Sequence, residues 1–197
     1  MNTPPDYSVW LDDPQHLAAE ELAWGFNQES KAYALWVKRI IDSKHASSVL
    51  ELGCGTGWVP LQMATLGVKN IRYTGVDGSA GCVKLARTKT TYPFIHADLR
   101  TLELTPVDIV CSFAVLKHFA LHEWDAVVAK VLRHGKHGIF TMNVGRDFDD
   151  FGFGFPHTTV SLVHLREAVW KAGHEVLSVE TSPCGGDAEP VVFTRAL

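Results

Sequence analysis

The chemistry of this chain is concentrated first in Glu51-Leu52-Gly53-Cys54-Gly55-Thr56-Gly57, an acid followed by three glycines in alternate positions. The segment follows the β-branched run SVLEL and precedes a helical stretch, and open α/β sheets bind ligands where a strand passes into a helix in this way. Glycines reach positive φ and remove the β-carbons that would hold a ligand off the backbone. The loop amides and the helix start are therefore expected to meet the ligand directly.

A dinucleotide fingerprint needs G-x-G-x-x-G, with the last glycine allowing close helix packing. Here the spacing is G-x-G-x-G and Trp58 fills that place, so a nicotinamide dinucleotide fits poorly. Glu51 would also repel a pyrophosphate and attract an ammonium group. Two further acids stand after later strand candidates: Asp77 in GVDGS and Asp98 in HADLR. Asp77 follows the glycine loop by about 20 residues, the spacing at which an acid accepts hydrogen bonds from ribose hydroxyls. Asp98 could accept from an adenine amino group. Either acid alone could be a helix cap or a turn former. Together with the glycine loop they favour an adenosyl ligand with a cationic tail, which describes S-adenosylmethionine.

Methyl transfer from a sulfonium needs positioning and water exclusion rather than a nucleophilic side chain. An oxygen acceptor would also need a base within hydrogen-bond reach, and His118, in FAVLKHF after the fourth strand candidate, is placed for that role. Its other reading is a half-buried histidine that holds the loop. His118 and His122 are four apart and a helix could turn both to one metal, but no carboxylate or cysteine accompanies them and no metal is expected. The loop from Asp147 to Phe155 sets four phenylalanines among glycines and aspartates. It is either a lid over an apolar acceptor or a surface loop docked by its aromatics.

The elements that must position these residues follow from periodicity. SVLEL, IRYTGV, PFIHA, VDIVCS and HGIFTMN are strand candidates, alternating with helices over 58–66, 80–90 and 121–133, a pattern that argues for a parallel sheet covered by helices. A helix over about 162–172 leads into HEVLSVETS and VVFTRAL, which read as an antiparallel hairpin. Ahead of the sheet, Asp13 and Pro14 signal a helix through about Trp24. A second amphipathic helix follows Asn27, with Tyr33, Trp36, Val37, Ile40 and Ile41 on one face. Trp24, Phe26, Tyr33 and Trp36 could wall a pocket or simply cover the sheet.

At 197 residues, with 46% hydrophobic and 20% charged content, the chain fits one domain, 1–197, with 1–46 as an amino-terminal helical cap. A net charge of −4 without a basic cluster gives no pull on nucleic acid or an anionic membrane. Neither a signal peptide nor a membrane span is expected. Four scattered cysteines, Cys54, Cys82, Cys111 and Cys184, suit reduced thiols and a cytoplasmic protein.

In order and spacing, ELGCGTG, VDGS, HADL and DIVCSFAVLKHF resemble the successive motifs of the class I S-adenosylmethionine-dependent methyltransferases. The resemblance runs from about Ser47 to the end of the chain. It implies a three-layer, Rossmann-like α/β fold with a mostly parallel seven-stranded sheet and an antiparallel terminal strand. It also implies that Gly53, Cys54, Gly55 and Gly57 line the methionine part, with Glu51 orienting it. Asp77 then takes the ribose, with Gly78 and Ser79 near the adenine. Asp98 and Leu99 hold the adenine edge, and Phe113 and Ala114 lie close to the transferable methyl. SFAV stands where base- and glutamine-amino methyltransferases carry an Asn/Asp-Pro-Pro-aromatic tetrad, so that subclass is not expected. Asn143 and the aspartates nearby resemble metal-dependent catechol-type members, but Cys111-Ser112-Phe113 supplies no acid for such a site. A small-molecule acceptor is the leading expectation. The alternatives are a protein side chain as acceptor, or an S-adenosylmethionine-binding sensor or partner subunit without turnover.

Overall fold

The structure, a computed structural model, describes residues 12, 13, 15, 17, 18, 21, 28–103, 105–150, 157–181 and 190–197. Trp24, Phe26, Cys184 and residues 151–156 of the aromatic loop lie outside the described residues.

Helix α1 (Gln28–Lys44) precedes strand β1 (Ser48–Leu52), and the chain then alternates through α2 (Trp58–Thr65), β2 (Arg72–Asp77), α3 (Ala80–Lys89) and β3 (Phe94–His96). Strand β4 (Val107–Ser112), a 3-10 turn (Leu116–His118), α4 (Leu121–Leu132) and β5 (Gly135–Thr141) follow. Short strands β6 (Asn143–Val144), β7 (Phe148–Asp150) and β8 (His157–Val160) come next, then α5 (Leu162–Lys171), β9 (His174–Glu180) and β10 (Val191–Ala196). The main sheet has seven strands in the order β3-β2-β1-β4-β5-β10-β9. β1 pairs in parallel with β2 and β4, whereas β10 is antiparallel to both β5 and β9. The Rossmann-like architecture and the terminal hairpin are as expected from the sequence.

Alternation along the strands sorts the core into two layers. Val49, Tyr73, Ile109 and Ile139 face Tyr33, Trp36, Val37, Val59, Met63 and Val83 of α1 to α3. Leu50, Leu52, Val110 and Phe140 face Trp124, Val128, Leu165 and Val169 of α4 and α5. A strand buried on both faces reads as a continuous apolar run, and all five residues of β1 are buried. Glu51 shares its face with Val49, so an ionisable group is set into an apolar layer by strand parity alone.

Helix ends agree with their capping chemistry. The Ser79 hydroxyl accepts from Cys82 N at 3.0 Å and the Ser161 hydroxyl from His164 N at 3.1 Å. Asp13 caps the first turn of the leading segment by accepting from Gln15 N at 2.8 Å.

One expectation needs correction. The loop read from Asp147 to Phe155 lies in a segment that contains a second sheet of three strands in the order β6-β8-β7. Asn143, assigned to the fifth main strand, belongs to β6. The sheet forms because β8 returns parallel to β6 and antiparallel to β7, a pairing between segments too short to carry a periodic signal of their own. Asp147 accepts from the Ser161 amide and hydroxyl and lies 3.4 Å from His164 Nδ1, anchoring this sheet to the start of α5.

Candidate functional site

The strand order reverses between β1 and β4, and the crevice outside the carboxyl ends of those strands is where such folds bind ligands. The glycine loop leaves β1 on one side of it. On the other side, the turn 113–115 leaves β4.

Gly53, Gly55 and Gly57 all have left-handed backbones, with φ of 75°, 51° and 83°. Their missing side chains serve different ends. A β-carbon on Gly53 would lie 2.1 Å from Val115 Cγ2, and one on Gly57 would lie 3.0 Å from Ala86 Cβ, so these two glycines let the β4 turn and α3 close on the loop. Beside Gly55 and Gly78 a β-carbon would meet nothing within 4 Å, which makes them the open floor. The expectation that the loop amides meet a ligand directly is corrected. Gly53 N and Cys54 N donate to Val76 O at 2.7 and 3.0 Å, Gly57 N donates to Cys54 O at 3.1 Å, and Gly55 N donates to Asp77 Oδ2 at 2.8 Å. These amides pin the loop onto β2, because a buried N–H left without an acceptor is costly.

Asp77 is the hinge of this arrangement. Its other oxygen, Oδ1, accepts from Ser79 N at 2.8 Å. Asp98 is exposed and forms a turn, Oδ1 accepting from Arg100 N at 2.8 Å, while Leu99 beside it is buried. Of the two readings weighed from the sequence for these acids, the turn-forming one is visible in the structure: Asp77 accepts from the Ser79 amide and Asp98 from the Arg100 amide.

Glu51 is 2% exposed and takes a short hydrogen bond from the Tyr73 hydroxyl. Burial pushes its carboxyl up to about 8, against the lowering effect of the Tyr73 bond and reinforced by the charge of Asp77. It also raises the nearby Cys54 thiol, already lifted by burial and by Asp77. A buried acid beside a second acid suits a ligand that brings a positive charge.

On the β4 side, Phe113 stacks on Tyr33 of α1 with centroids 4.4 Å apart and planes 4° from parallel. Ala114 adopts a left-handed φ of 57°, a conformation costing a non-glycine residue of order 1 kcal/mol unless its surroundings hold it. Thr141 of β5 does so, its hydroxyl accepting from Ala114 N at 2.7 Å. Tyr33 thus reaches the site, whereas Trp36 packs edge-on against Phe193 and serves the core.

His118, half-buried in the 3-10 turn, meets the ring of His157 on β8 at 5.0 Å between centroids. Thr158 Oγ1 donates to Phe119 O at 2.7 Å, so the small sheet is fastened to this turn. His122 lies exposed on α4. Among the described residues no group of three or more His, Cys, Asp or Glu is gathered as a metal site, and no helix is long and apolar enough to cross a membrane.

Sequence reasoning missed four contributors. Tyr73 and Thr141 are two of them. Lys89 is the third: its Nζ donates to Thr56 O at 2.7 Å, pairs with Glu21 at 2.5 Å and sits 4.8 Å from the Trp58 ring centroid, locking the glycine loop to the end of α3. Asp12 is the fourth, its Oδ1 accepting from Ser79 Oγ at 2.7 Å and Gly81 N at 2.9 Å at the start of α3. A buried tyrosine within a strand signals a need for a polar partner, so Tyr73 was the most legible of the four.

Residues 49–138 match the family model described as a methyltransferase domain. No curated protein is significantly similar in sequence. Among solved structures, the fold superimposes on magnesium protoporphyrin IX methyltransferase from Synechocystis PCC 6803 with bound S-adenosylmethionine, with a TM-score of 0.79, 14% identity and 100% of each chain covered. It also superimposes on the 1,6-didemethyltoxoflavin-N1-methyltransferase of Burkholderia thailandensis, with a TM-score of 0.74, 14% identity and 100% of this chain and 91% of that one covered. A third match is the amino pentose methyltransferase of Micromonospora echinaspora, with a TM-score of 0.71, 14% identity and 100% of each chain covered. Residues 49–138 thus match a methyltransferase domain, and the strand order is that of the Rossmann-like fold shared with these S-adenosylmethionine-dependent methyltransferases.

Proposed function

We propose that this protein transfers the methyl group of S-adenosylmethionine to a small-molecule acceptor in the cytoplasm. The observation that carries the reading is the joint geometry of the buried Glu51, the two-armed Asp77 and the open floor at Gly55 and Gly78 along one crevice. In this reading Glu51 faces the ammonium of the amino-acid end and the glycine loop, with Cys54, forms the wall beside it. Asp77 takes the ribose hydroxyls. Ser79, Asp98 and Leu99 border the adenine.

The bound cofactor supplies an electrophilic methyl group, and the chain supplies position and dryness. Phe113 and Ala114 form the wall on the β4 side, held by Tyr33 and Thr141. His118 accepts the proton of an oxygen acceptor, with His157 against its ring. The small sheet borders this side and is the part of the molecule in which acceptor choice is written. A small acceptor is supported by relatives of the same fold whose names specify a magnesium protoporphyrin, 1,6-didemethyltoxoflavin and an amino pentose. The buried thiols of Cys54, Cys82 and Cys111 suit a reducing compartment.

The test is incubation of the purified chain with methyl-labelled S-adenosylmethionine and panels of phenols, carboxylic acids, amines and proteins. Labelled small-molecule product with unlabelled proteins supports the reading. Label only in protein would replace it with side-chain methylation.

A further inference from the structure

We propose that Tyr73 is a positioning residue of the cofactor site, whose phenol holds the Glu51 carboxyl in place and sustains its ionisation when the ammonium group of the cofactor arrives. The inference rests on the cofactor reading above and extends it to a residue of β2.

In parallel pairing Tyr73 stands opposite Val49, and Glu51 opposite Gly75. The Tyr73 side chain therefore runs along the α1-to-α3 face of the sheet until its hydroxyl meets Glu51 Oε2. The ring is 1% exposed and wedged between Tyr92, at 5.1 Å, and Phe94, at 6.0 Å between centroids, which leaves the hydroxyl little freedom of its own. Gly75, between the two residues on β2, is needed for this: a β-carbon there would lie 2.6 Å from Phe94 Cδ1 and 2.9 Å from Cys54 Sγ.

The ionisable groups coupled to Glu51 lie on β2, the glycine loop and β4. Tyr73 and Asp77 belong to β2, and Glu51 acts in turn on the thiols of Cys54 in the glycine loop and Cys111 of β4. None of these is a cation, and Asp77 works against a second negative charge. Without a cation beside it, the carboxyl therefore keeps its proton at neutral pH. An arriving ammonium reverses the balance: the carboxyl releases its proton to solvent and the phenol stabilises the anion left behind, as hydrogen bonds to a charged form do. Two consequences follow. Affinity for a ligand with the amino-acid end rises with pH toward about 8, the value of the carboxyl without a cation beside it. Affinity for the same nucleoside without that end does not depend on this proton.

The experiment is calorimetric titration of the full chain, Tyr73→Phe and Glu51→Gln between pH 5.5 and 8.5. The probes are S-adenosylhomocysteine, which keeps the amino-acid end, and 5′-methylthioadenosine, which lacks it. For the parent chain the first affinity should rise with pH and the second stay level. Tyr73→Phe keeps the ring packing, and should weaken S-adenosylhomocysteine about tenfold at neutral pH, the loss of one hydrogen bond to a charged group. Its pH rise should move to higher values, because the Tyr73 bond lowers the Glu51 carboxyl, while methylthioadenosine changes less than about twofold. Glu51→Gln should leave S-adenosylhomocysteine weak and its affinity level with pH.

Equal weakening of both probes by Tyr73→Phe would reduce Tyr73 to packing and overturn the proposal. So would an unchanged size and pH profile of S-adenosylhomocysteine binding in that variant. Failure of the parent chain to bind either probe would instead remove the cofactor reading, and this proposal with it.

Discussion

The two sides of the crevice are built on different plans. The side formed by β1 and β2 draws Glu51, the three loop glycines, Asp77 and Ser79 from a short stretch of chain, all at the ends of neighbouring parallel strands. Its backbone is pinned to itself through Val76 O and Asp77. The side formed by β4 and the small sheet draws Phe113, Ala114, His118 and His157 from separate segments, joined by long-range contacts such as Thr158 to Phe119. In the proposed reading the first plan fixes one ligand by local geometry. The second can vary with insertions and exchange acceptors while the first is left alone, which is how one fold serves many substrates.

This contrast predicts that the two sides fail separately. His118→Ala should lower kcat by about a hundredfold or more, the usual contribution of a general base, with affinity for S-adenosylhomocysteine unchanged in parallel titrations. Simultaneous loss of binding would make His118 a structural element and blur the boundary between the sides. Asp77→Ala removes the acceptor of the Gly55 and Ser79 amides as well as the proposed ribose partner. It should weaken cofactor binding by about a hundredfold, two charge-assisted hydrogen bonds being the scale, and calorimetry that finds the affinity intact would remove the ribose assignment.

The buried acid offers a sharper test that needs no ligand. The folded-state carboxyl of Glu51 titrates near 8, above its ordinary 4.5. Its ionisation therefore costs stability progressively as pH rises from 4.5 to about 8, and the cost is constant above. Glu51→Gln does not titrate, and its amide oxygen can still accept from Tyr73. Thermal denaturation should show the variant melting about 10 °C or more higher at pH 8, the scale of a shift from 4.5 to about 8, with the gap closing toward pH 4.5. A gap independent of pH would mean that Glu51 ionises freely in the native state. The smallest effect is expected at Asp12, whose carboxylate is held below its ordinary range mainly by the Ser79 hydroxyl and then by the Gly81 amide. Asp12→Ala should lower the melting temperature by a few degrees at most, the loss of one cap, with a modest rise in cofactor dissociation rate followed by stopped flow.

What could be read in advance follows the same division. The glycine loop, Asp77 and the parallel strands announce themselves because their signals are local: residue type, spacing and alternation. The terminal hairpin was legible for the same reason. Gly53 was seen as a glycine that must stay small, but not that Val115, far along the chain, is what fills the space. Tyr73, Lys89 and Thr141 look like ordinary strand and helix residues until folding brings them to Glu51, Thr56 and Ala114. The three-stranded sheet escaped notice because its strands are two to four residues long, and its pairing is decided by the partner rather than by pattern.

The central claim is that this crevice is made for a sulfonium nucleoside with a cationic amino-acid tail. Calorimetric titration of the full chain with S-adenosylmethionine, S-adenosylhomocysteine and NADH tests it most directly. Micromolar binding of the first two without binding of NADH is the predicted result. Binding of NADH alone would contradict the roles assigned to Glu51, Asp77 and Asp98 together.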